Sequence, residues 1–434
     1  MTFPEVKLKR ILSRSDAGAW GMDPGVGTGN GVPVLRSTEI SMGGVINSEG
    51  AAIRTLSPRE VSTTRLLAGD LVVVKSSGSD AHLGKTGIVT RDLATDTFSF
   101  SNFLQRLRVS KRCDPRFVWY FLNSLLAKRQ VRLLSSTSTG LQNLSASLIG
   151  ELVMPFPPIE EQRRIAEFLD ATTRRIAQVE SGKLKQLAAL DERCLAEVSE
   201  CVTPGILTRP AGASLMPWLP KLPSNIPLVR LGFVCRLQSG LTVDGTRKLT
   251  GDVVTRPYLR VANVQAGHFR LESVTEVTVP RAMADRTTLQ LGDVLMTEGG
   301  DLDKLGRGAV WRGELENCLH QNHIFALRPD ARRLDGEYLA LVTQSLHGRC
   351  YFESTGAKTT NLASTNSSKI LGLPLPLPSL DVQRGKVRDL RRSLDSTERV
   401  RNLIKQQVRR LRERREVLIA GVFEGQIGVG AKRD

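Results

Sequence analysis

The sequence predicts an α/β protein in which two tandem α/β modules are each followed by a long helix, and the two helices pair as an antiparallel coiled coil with pseudo-two-fold symmetry. Three observations predict this fold. The chain has 434 residues, about three times a typical domain of ~150 residues. It contains an internal repeat. Each copy of the repeat is followed by a segment whose apolar residues recur at helical spacing.

The internal repeat relates the two halves of the chain by a shift of 221 to 224 residues. Gly69-Asp70 returns as Gly292-Asp293, and the proline-rich segment Pro155–Gln162 returns as Pro376–Gln383. Because equivalent motifs occur in the same order with nearly the same shift, a duplicated architecture is expected.

Each copy mixes predicted strands and helices. The β-branched runs Leu71–Val74 and Val294–Met296 are bounded by small residues and are typical of strands, whereas Pro115–Leu126 predicts a helix. We therefore assign residues 1–156 to the first module and residues 206–377 to the second.

Residues 157–205 and 378–427 contain the predicted long helices, and residues 428–434 form a tail. From Ile159 to about Glu200 there is no proline, and the apolar spacing of 3, 4 and 4 gives an eleven-residue period. From Val387 to Val422 the spacing alternates between 3 and 4, which is a heptad pattern. Net charges of −2 for residues 159–200 and +7 for residues 378–418 favour pairing of the helices.

The charge of the chain indicates a polyanionic partner. Lys and Arg number 61 against 44 Asp and Glu, a net charge of +17, and residues 1–158 and 201–377 carry +7 and +5 of it. No run approaches the ~18 apolar residues of a membrane span, and the first residues lack a secretion signal, so a cytoplasmic location is expected. The six cysteines form no C-x-x-C pair, which favours reduced thiols.

Three motif-like segments do not meet the requirements of an enzyme or metal site. Gly25–Gly31 lacks the strand and helix that flank a nucleotide-binding loop. Gly78–Thr86 has five residues between its glycines where a P-loop has four, and favours a turn. Cys318, His320 and His323 lack a second ligand cluster, which favours a strand-edge histidine. We therefore predict no catalytic residue and no metal site.

The chain resembles the specificity (S) subunit of Type I restriction-modification systems over nearly its whole length. The resemblance rests on Pro157–Asp170, on Leu418–Ile427, and on the Gly-Asp and Leu-Gly elements of both modules. It implies a non-catalytic DNA-binding subunit in which each module is a target recognition domain for half of a bipartite asymmetric site. The subunit would direct adenine methylation by its partners, and cleavage where a nuclease subunit exists.

The resemblance also implies partners and cofactors. The partners would be double-stranded DNA, two methyltransferase (M) subunits and, where present, two restriction (R) subunits, with no membrane partner. This chain would hold no cofactor, whereas the M subunits would bind S-adenosylmethionine and the R subunits ATP with Mg²⁺.

Candidate DNA contacts follow from residue chemistry, because Lys, Arg, Ser and Thr suit phosphates and Arg, Gln and Asn suit base edges. The first-module candidates are Lys75, Ser76, Ser77, Lys85, Arg106, Arg108, Thr139, Gln142 and Asn143. The second-module candidates are Arg260, Glu298, Lys304, Arg307, Lys358, Thr359, Thr360 and Asn361. The candidates for spacing and partner docking on the helices are Glu161, Gln162, Ile165, Phe168, Ile176, Leu187, Gln383, Leu394, Ile404, Leu411 and Leu418.

Two alternatives compete with this interpretation. The chain could be a coiled-coil scaffold protein with incidental nucleic-acid affinity, or a methyltransferase or nuclease with degenerate motifs. Co-expression with a neighbouring adenine methyltransferase discriminates among them, because only the S-subunit hypothesis predicts a complex that methylates a specific sequence.

Overall fold

The computed structural model describes residues 3–24, 31–79, 81–138, 141–207, 227–243, 251–265, 267–300, 305–358 and 363–428. The chain forms two compact units. Unit 1 comprises residues 1–184 and 406–434, and unit 2 comprises residues 185–405.

The first module lies in unit 1. Its strands are β1 Glu5–Lys7, β2 Leu12–Ala17, β3 Val32–Leu35, β4 Ala52–Arg54, β5 Leu71–Val74, β6 Ser76–Ser77, β7 Thr86–Ile88, β8 Ser99–Phe100, β9 Leu104–Val109, β10 Ser136–Ser138, β11 Leu141–Asn143 and β12 Val153–Pro155. Its helices are α1 Pro58–Thr64, α2 Pro115–Leu122, α3 Leu125–Leu134 and α4 Ala146–Gly150. The strands form sheets of order β2-β9-β5-β7, β4-β3-β8, β10-β11-β6 and β1-β12.

The second module lies in unit 2. Its strands are β13 Leu228–Arg230, β14 Cys235–Ser239, β15 Val253–Leu259, β16 Val264–Gln265, β17 His268–Phe269, β18 Thr275–Pro280, β19 Val294–Thr297, β20 Gly299–Gly300, β21 Ala309–Val310, β22 Leu319–His320, β23 Ile324–Pro329, β24 Ala357–Lys358, β25 Ala363–Ser364 and β26 Pro374–Pro376. Its helices are α6 Arg281–Thr287, α7 Gly336–Gln344, α8 Leu346–Thr355 and α9 Ser367–Leu371. The sheet orders are β14-β23-β19-β21, β18-β15-β22, β20-β25-β24, β13-β26 and β16-β17.

The sheet topology confirms the predicted duplication. Each of the four sheets of the first module has a counterpart in the second. In both modules one of the two three-stranded sheets contains a parallel pair, β3 with β8 and β15 with β22. The ribbon β16-β17 corresponds to a single antiparallel bridge between Ile40 and Ile46 in the first module.

The central strand β5 explains why a run of four apolar residues is needed. Leu71 and Val73 belong to one core cluster and Val72 and Val74 to another, because successive side chains of a strand point to opposite faces. All four are buried, so the sheet is covered on both faces. The predicted strands are therefore confirmed.

The helix predicted at Pro115–Leu126 is two helices. The first ends at Leu122, and Ser124 begins the second by accepting a hydrogen bond from the Ala127 N–H. Asp114 caps the first helix by accepting from the N–H groups of Arg116 and Phe117. An internal serine that can cap a helix was the signal for this break.

Two long helices follow the modules, α5 Ile159–Val202 and α10 Leu380–Phe423, each of 44 residues. Every predicted heptad position of α10 from Val387 to Val422 is buried or half-buried. In α5 the predicted seam holds except at Val179, which is 51% exposed, because Glu180 takes the inward position.

The helices pair antiparallel within each unit. In unit 1, Ile165 shares a core cluster with Val422, while Glu180 accepts from Arg412 Nε at 2.6 Å. In unit 2, Arg401 pairs with Asp191 at 3.1 Å and the Ser393 hydroxyl donates to Glu197 at 2.7 Å. Partners later in α5 lie earlier in α10, as antiparallel pairing requires.

Candidate nucleic-acid interface

A small polar sheet brings several first-module candidates together. Strand β11 pairs with β6 so that Gln142 lies opposite Ser77 and Asn143 opposite Ser76. The Ser76 hydroxyl donates to Asn143 Oδ1 at 3.0 Å in an exposed position. Lys75 precedes this sheet, and partial burial lowers the pKa of its ammonium group. Hydroxyl, amide and cationic groups thus lie side by side, which suits contact with phosphates and base edges.

The second module forms the equivalent sheet from β20, β25 and β24. Gly299 and Gly300 pair with Ser364 and Ala363, and the backbone of Lys358 also pairs with Ala363. Thr139, Lys304, Thr359, Thr360 and Asn361 lie outside the described residues, as do the side chains of Gln142 and Lys358.

Lys75 and Glu298 occupy equivalent positions in the two modules. The Lys75 carbonyl accepts from the Leu144 N–H at 2.7 Å, and the Glu298 carbonyl accepts from the Thr365 N–H at 2.8 Å. The Glu298 carboxylate lies 2.5 Å from His323 Nδ1. The same backbone site therefore presents a cation in one module and a carboxylate beside a histidine in the other.

Other basic candidates lie apart from these sheets or carry partners. Lys85 is half-buried, its Nζ donates to the Ser37 carbonyl at 2.9 Å, and burial lowers its pKa. Arg307 is half-buried with interactions of its own, whereas Arg260 is exposed.

Arg106 is a core residue and does not belong to the interface. Its side chain is 1% exposed and lies on the central strand β9. It forms an ion pair with Asp16 at 2.5 Å and donates to the carbonyls of Thr63 and Arg65, both at 2.9 Å. Its charge is fully engaged inside the module, so we remove it from the candidate DNA contacts.

Arg108 is also engaged within the fold. Its guanidinium forms a two-pronged pair with Asp70, at 2.7 and 2.8 Å, and Arg328 forms the equivalent pair with Asp293 at 2.8 Å. Both aspartates are 1% exposed. The Gly-Asp motif recurs because each aspartate caps its own turn and holds this arginine. We therefore assign Arg108 to the scaffold as well.

The recurrent glutamine fastens each module to its long helix. Gln162 is fully buried, its Oε1 accepts from the Asp114 N–H at 3.0 Å, and its Nε2 donates to the Pro157 carbonyl at 2.9 Å. Gln383 repeats the arrangement with the Asp335 N–H at 3.0 Å and the Pro378 carbonyl at 2.8 Å. We call each arrangement a glutamine clamp. Being buried, neither glutamine is available to dock a partner, which corrects the docking part of that expectation.

The other helix candidates line the coiled coil. Ile165, Ile176 and Ile404 are buried, and Phe168, Leu187, Leu394, Leu411 and Leu418 are half-buried. Glu161 is half-buried and bonded to Arg164 on its own helix. These apolar side chains pack within the chain, so the helix surfaces that remain for a partner are largely charged.

The cysteine-histidine segment is structural in its geometry. His320 lies buried in β22 with Nδ1 3.0 Å from the Ile324 carbonyl, and burial lowers its pKa to about 4. Among the described residues no three His, Cys, Asp or Glu side chains come together as a metal site would need. All six cysteines are free. In the part of the chain that is described, no helix is long and apolar enough to span a membrane.

Comparison with known proteins places the fold in context. Residues 37–189 match the family model of the Type I restriction modification DNA specificity domain. The chain is 22% identical over 403 residues to the StySPI specificity subunit of Salmonella potsdam, covering 91% of this chain and 82% of that one. It is 24% identical over 365 residues to the EcoKI specificity subunit of Escherichia coli K12, covering 82% and 75%.

A solved structure concerning complex assembly and conformational transition of the type I R-M system has the same fold. It aligns with a TM-score of 0.68 at 18% identity over 98% of both chains. The matched domain and the named relatives belong to DNA specificity subunits, and the duplicated modules of this chain are similar to them. The family model, the named relatives and this fold together support an S subunit of a type I restriction-modification system, as the sequence motifs indicate. The relatives are specificity subunits, in agreement with a non-catalytic role.

Proposed function

We propose that this chain reads a bipartite, asymmetric DNA site and directs adenine methylation by two methyltransferase subunits that bind S-adenosylmethionine. Each module would contact one half-site, and the long helices would set the number of unread base pairs between the halves. Restriction subunits using ATP and Mg²⁺, where present, would add cleavage. We expect the complex to act in the cytoplasm.

The observation that carries this proposal is the duplicated three-stranded sheet, β10-β11-β6 in one module and β20-β25-β24 in the other. Both sheets occupy the same place in a duplicated fold, yet they carry different side chains, as Lys75 and Glu298 illustrate. A duplicated protein that reads two unlike half-sites requires this combination of a shared scaffold and different contact residues. The modules' basic charge supports DNA as the polyanion.

The test is co-expression of the chain with an adenine methyltransferase encoded beside it, followed by sequencing of modified bases. We expect a stable complex that methylates one bipartite sequence, with neither component methylating alone. The variants N143A and K358A serve as reciprocal controls, since each should relax selectivity at one half-site and leave the other intact. A complex without sequence-specific methylation would instead support the scaffold alternative.

A further inference from the structure

A charged pair lies beside each glutamine clamp, where a helix of the module contacts the long helix. The helices are α2 and α5 in unit 1, and α7 and α10 in unit 2. In unit 1, Arg116 Nη1 donates to Asp170 Oδ2 at 2.9 Å. The Tyr120 hydroxyl donates to the other oxygen of the same carboxylate at 2.8 Å. Arg116 belongs to α2 of the module and Asp170 to α5, so the pair spans the junction.

Unit 2 has the same junction with the charges reversed. Glu337 of α7 accepts from Arg391 Nη2 of α10 at 3.0 Å, and it also accepts from Arg312. Both members of this pair lie 221 residues after their counterparts Arg116 and Asp170. The counterpart of Tyr120 is Leu341, which lacks the hydroxyl that serves a carboxylate. Three positions that face one another at the first junction therefore all carry different residues at the second junction.

We propose that the reversed pairs are a pairing code that assigns each module to its own long helix. The glutamine clamps cannot make this distinction, because they use the same residue type and the same backbone groups at both junctions. If the modules exchanged helices, Arg116 would face Arg391 and Glu337 would face Asp170. Two attractions would become two repulsions, and specificity between similar partners commonly arises from such a penalty on the wrong pairing.

The misassembly that this code opposes is a domain-swapped association with a second copy of the chain. A duplicated protein presents four junction surfaces in two copies, and matching clamps would allow modules to dock on helices of the neighbouring molecule. The pairing code acts during folding and is independent of the proposed DNA function, so its test uses no DNA.

The test transplants the second junction into the first. The full-length variant R116E/Y120L/D170R gives both junctions the same polarity. The pairs at both junctions remain attractive, but residue 116 loses its second partner, Asp114. The loss of one partly exposed pair lowers stability only slightly, so we expect a melting temperature within about 4 °C of the parent chain. After unfolding in guanidinium and refolding by dilution, the fraction of dimers and larger species in light-scattering chromatography should rise severalfold.

The matched control reverses the second junction as well, with E337R/R391D and with R312S to remove the second cation beside residue 337. Opposite polarities are then restored, and the swapped fraction should return towards that of the parent. The proposal is overturned if the first variant refolds with the parent's monomer fraction, or if the control does not reduce the swapped species.

A double-mutant cycle keeps the proposal falsifiable if the transplanted chain does not refold. R116E and D170R each place like charges together, so each should melt below the parent chain. R116E also loses the pair with Asp114, so the quantity to compare is the coupling: R116E/D170R should lose less stability than the sum of the two single losses. Additive losses in the double variant would show that residues 116 and 170 are not coupled, which would contradict the proposed pairing code.

Discussion

The glutamine clamp predicts that removal of a single buried amide group causes a large loss of stability. Gln162 is fully buried and satisfies the Asp114 N–H and the Pro157 carbonyl at hydrogen-bond distances of 3.0 and 2.9 Å. The amide satisfies both backbone groups because its oxygen accepts while its nitrogen donates. Gln162→Ala would leave two buried backbone groups without partners, each costing ~1–3 kcal/mol. We therefore expect the free energy of unfolding of unit 1 to fall by about 3 kcal/mol.

The assay is thermal and urea unfolding of the full chain. A loss of about 3 kcal/mol corresponds to a decrease of roughly 6–12 °C in the melting temperature of a unit of this size. Gln178→Ala is the matched control, because Gln178 is exposed on the same helix. Gln162→Glu keeps the acceptor and loses the donor, so it should not rescue stability. If Gln162→Ala unfolds within ~0.5 kcal/mol of Gln178→Ala, the clamp does not fasten the module.

Three further predictions separate scaffold residues from contact residues. Arg108→Ala should lower the free energy of unfolding by ~3–5 kcal/mol, because it leaves the buried Asp70 carboxylate without its charged partner. A change below ~1 kcal/mol in chemical denaturation would contradict this prediction. Lys75→Ala should leave the melting temperature unchanged. In a salt titration, the slope of the logarithm of the DNA-binding constant against the logarithm of the salt concentration should decrease by about one phosphate contact. An unchanged slope would exclude Lys75 as a phosphate contact. Replacing Lys358 and Asn361 with Ala should weaken binding through the second half-site alone, and equal losses at both half-sites in footprinting would contradict modular reading.

The sequence predicted the duplication, the long helices and, except for Val179, their apolar seam positions, because these features repeat along the chain. The prediction that Arg106 contacts DNA is wrong, because it rested on residue chemistry alone. Strand β9 is the middle of a sheet covered on both faces, so its polar side chains must find partners inside. That covering depends on strand order, which only the assembled fold reveals.

The role of Gln162 illustrates a second limit of sequence reasoning. Its motif was evident, but its partner Asp114 lies 48 residues earlier in the chain, and no local pattern links them. The repeat contained a usable signal, because Asp335 and Gln383 recur at the same separation of 48 residues. A pair of polar residues that keeps its separation in both copies indicates a contact that the fold requires.

Comparison of the two copies therefore separates what holds the fold from what distinguishes the modules. The clamp glutamines are the same in both copies, and so are the buried Asp-Arg pairs, because removing either partner leaves a buried group unsatisfied. Lys75 and Glu298 differ in charge, although their carbonyls make the same hydrogen bond in each module, so the backbone tolerates either side chain there. A carboxylate repels phosphate but can accept from the amino group of cytosine, whereas a lysine favours phosphates and guanine. At this position the second module should consequently bind DNA less through phosphates than the first and depend more on base contacts, which predicts half-sites that are read by different chemistry.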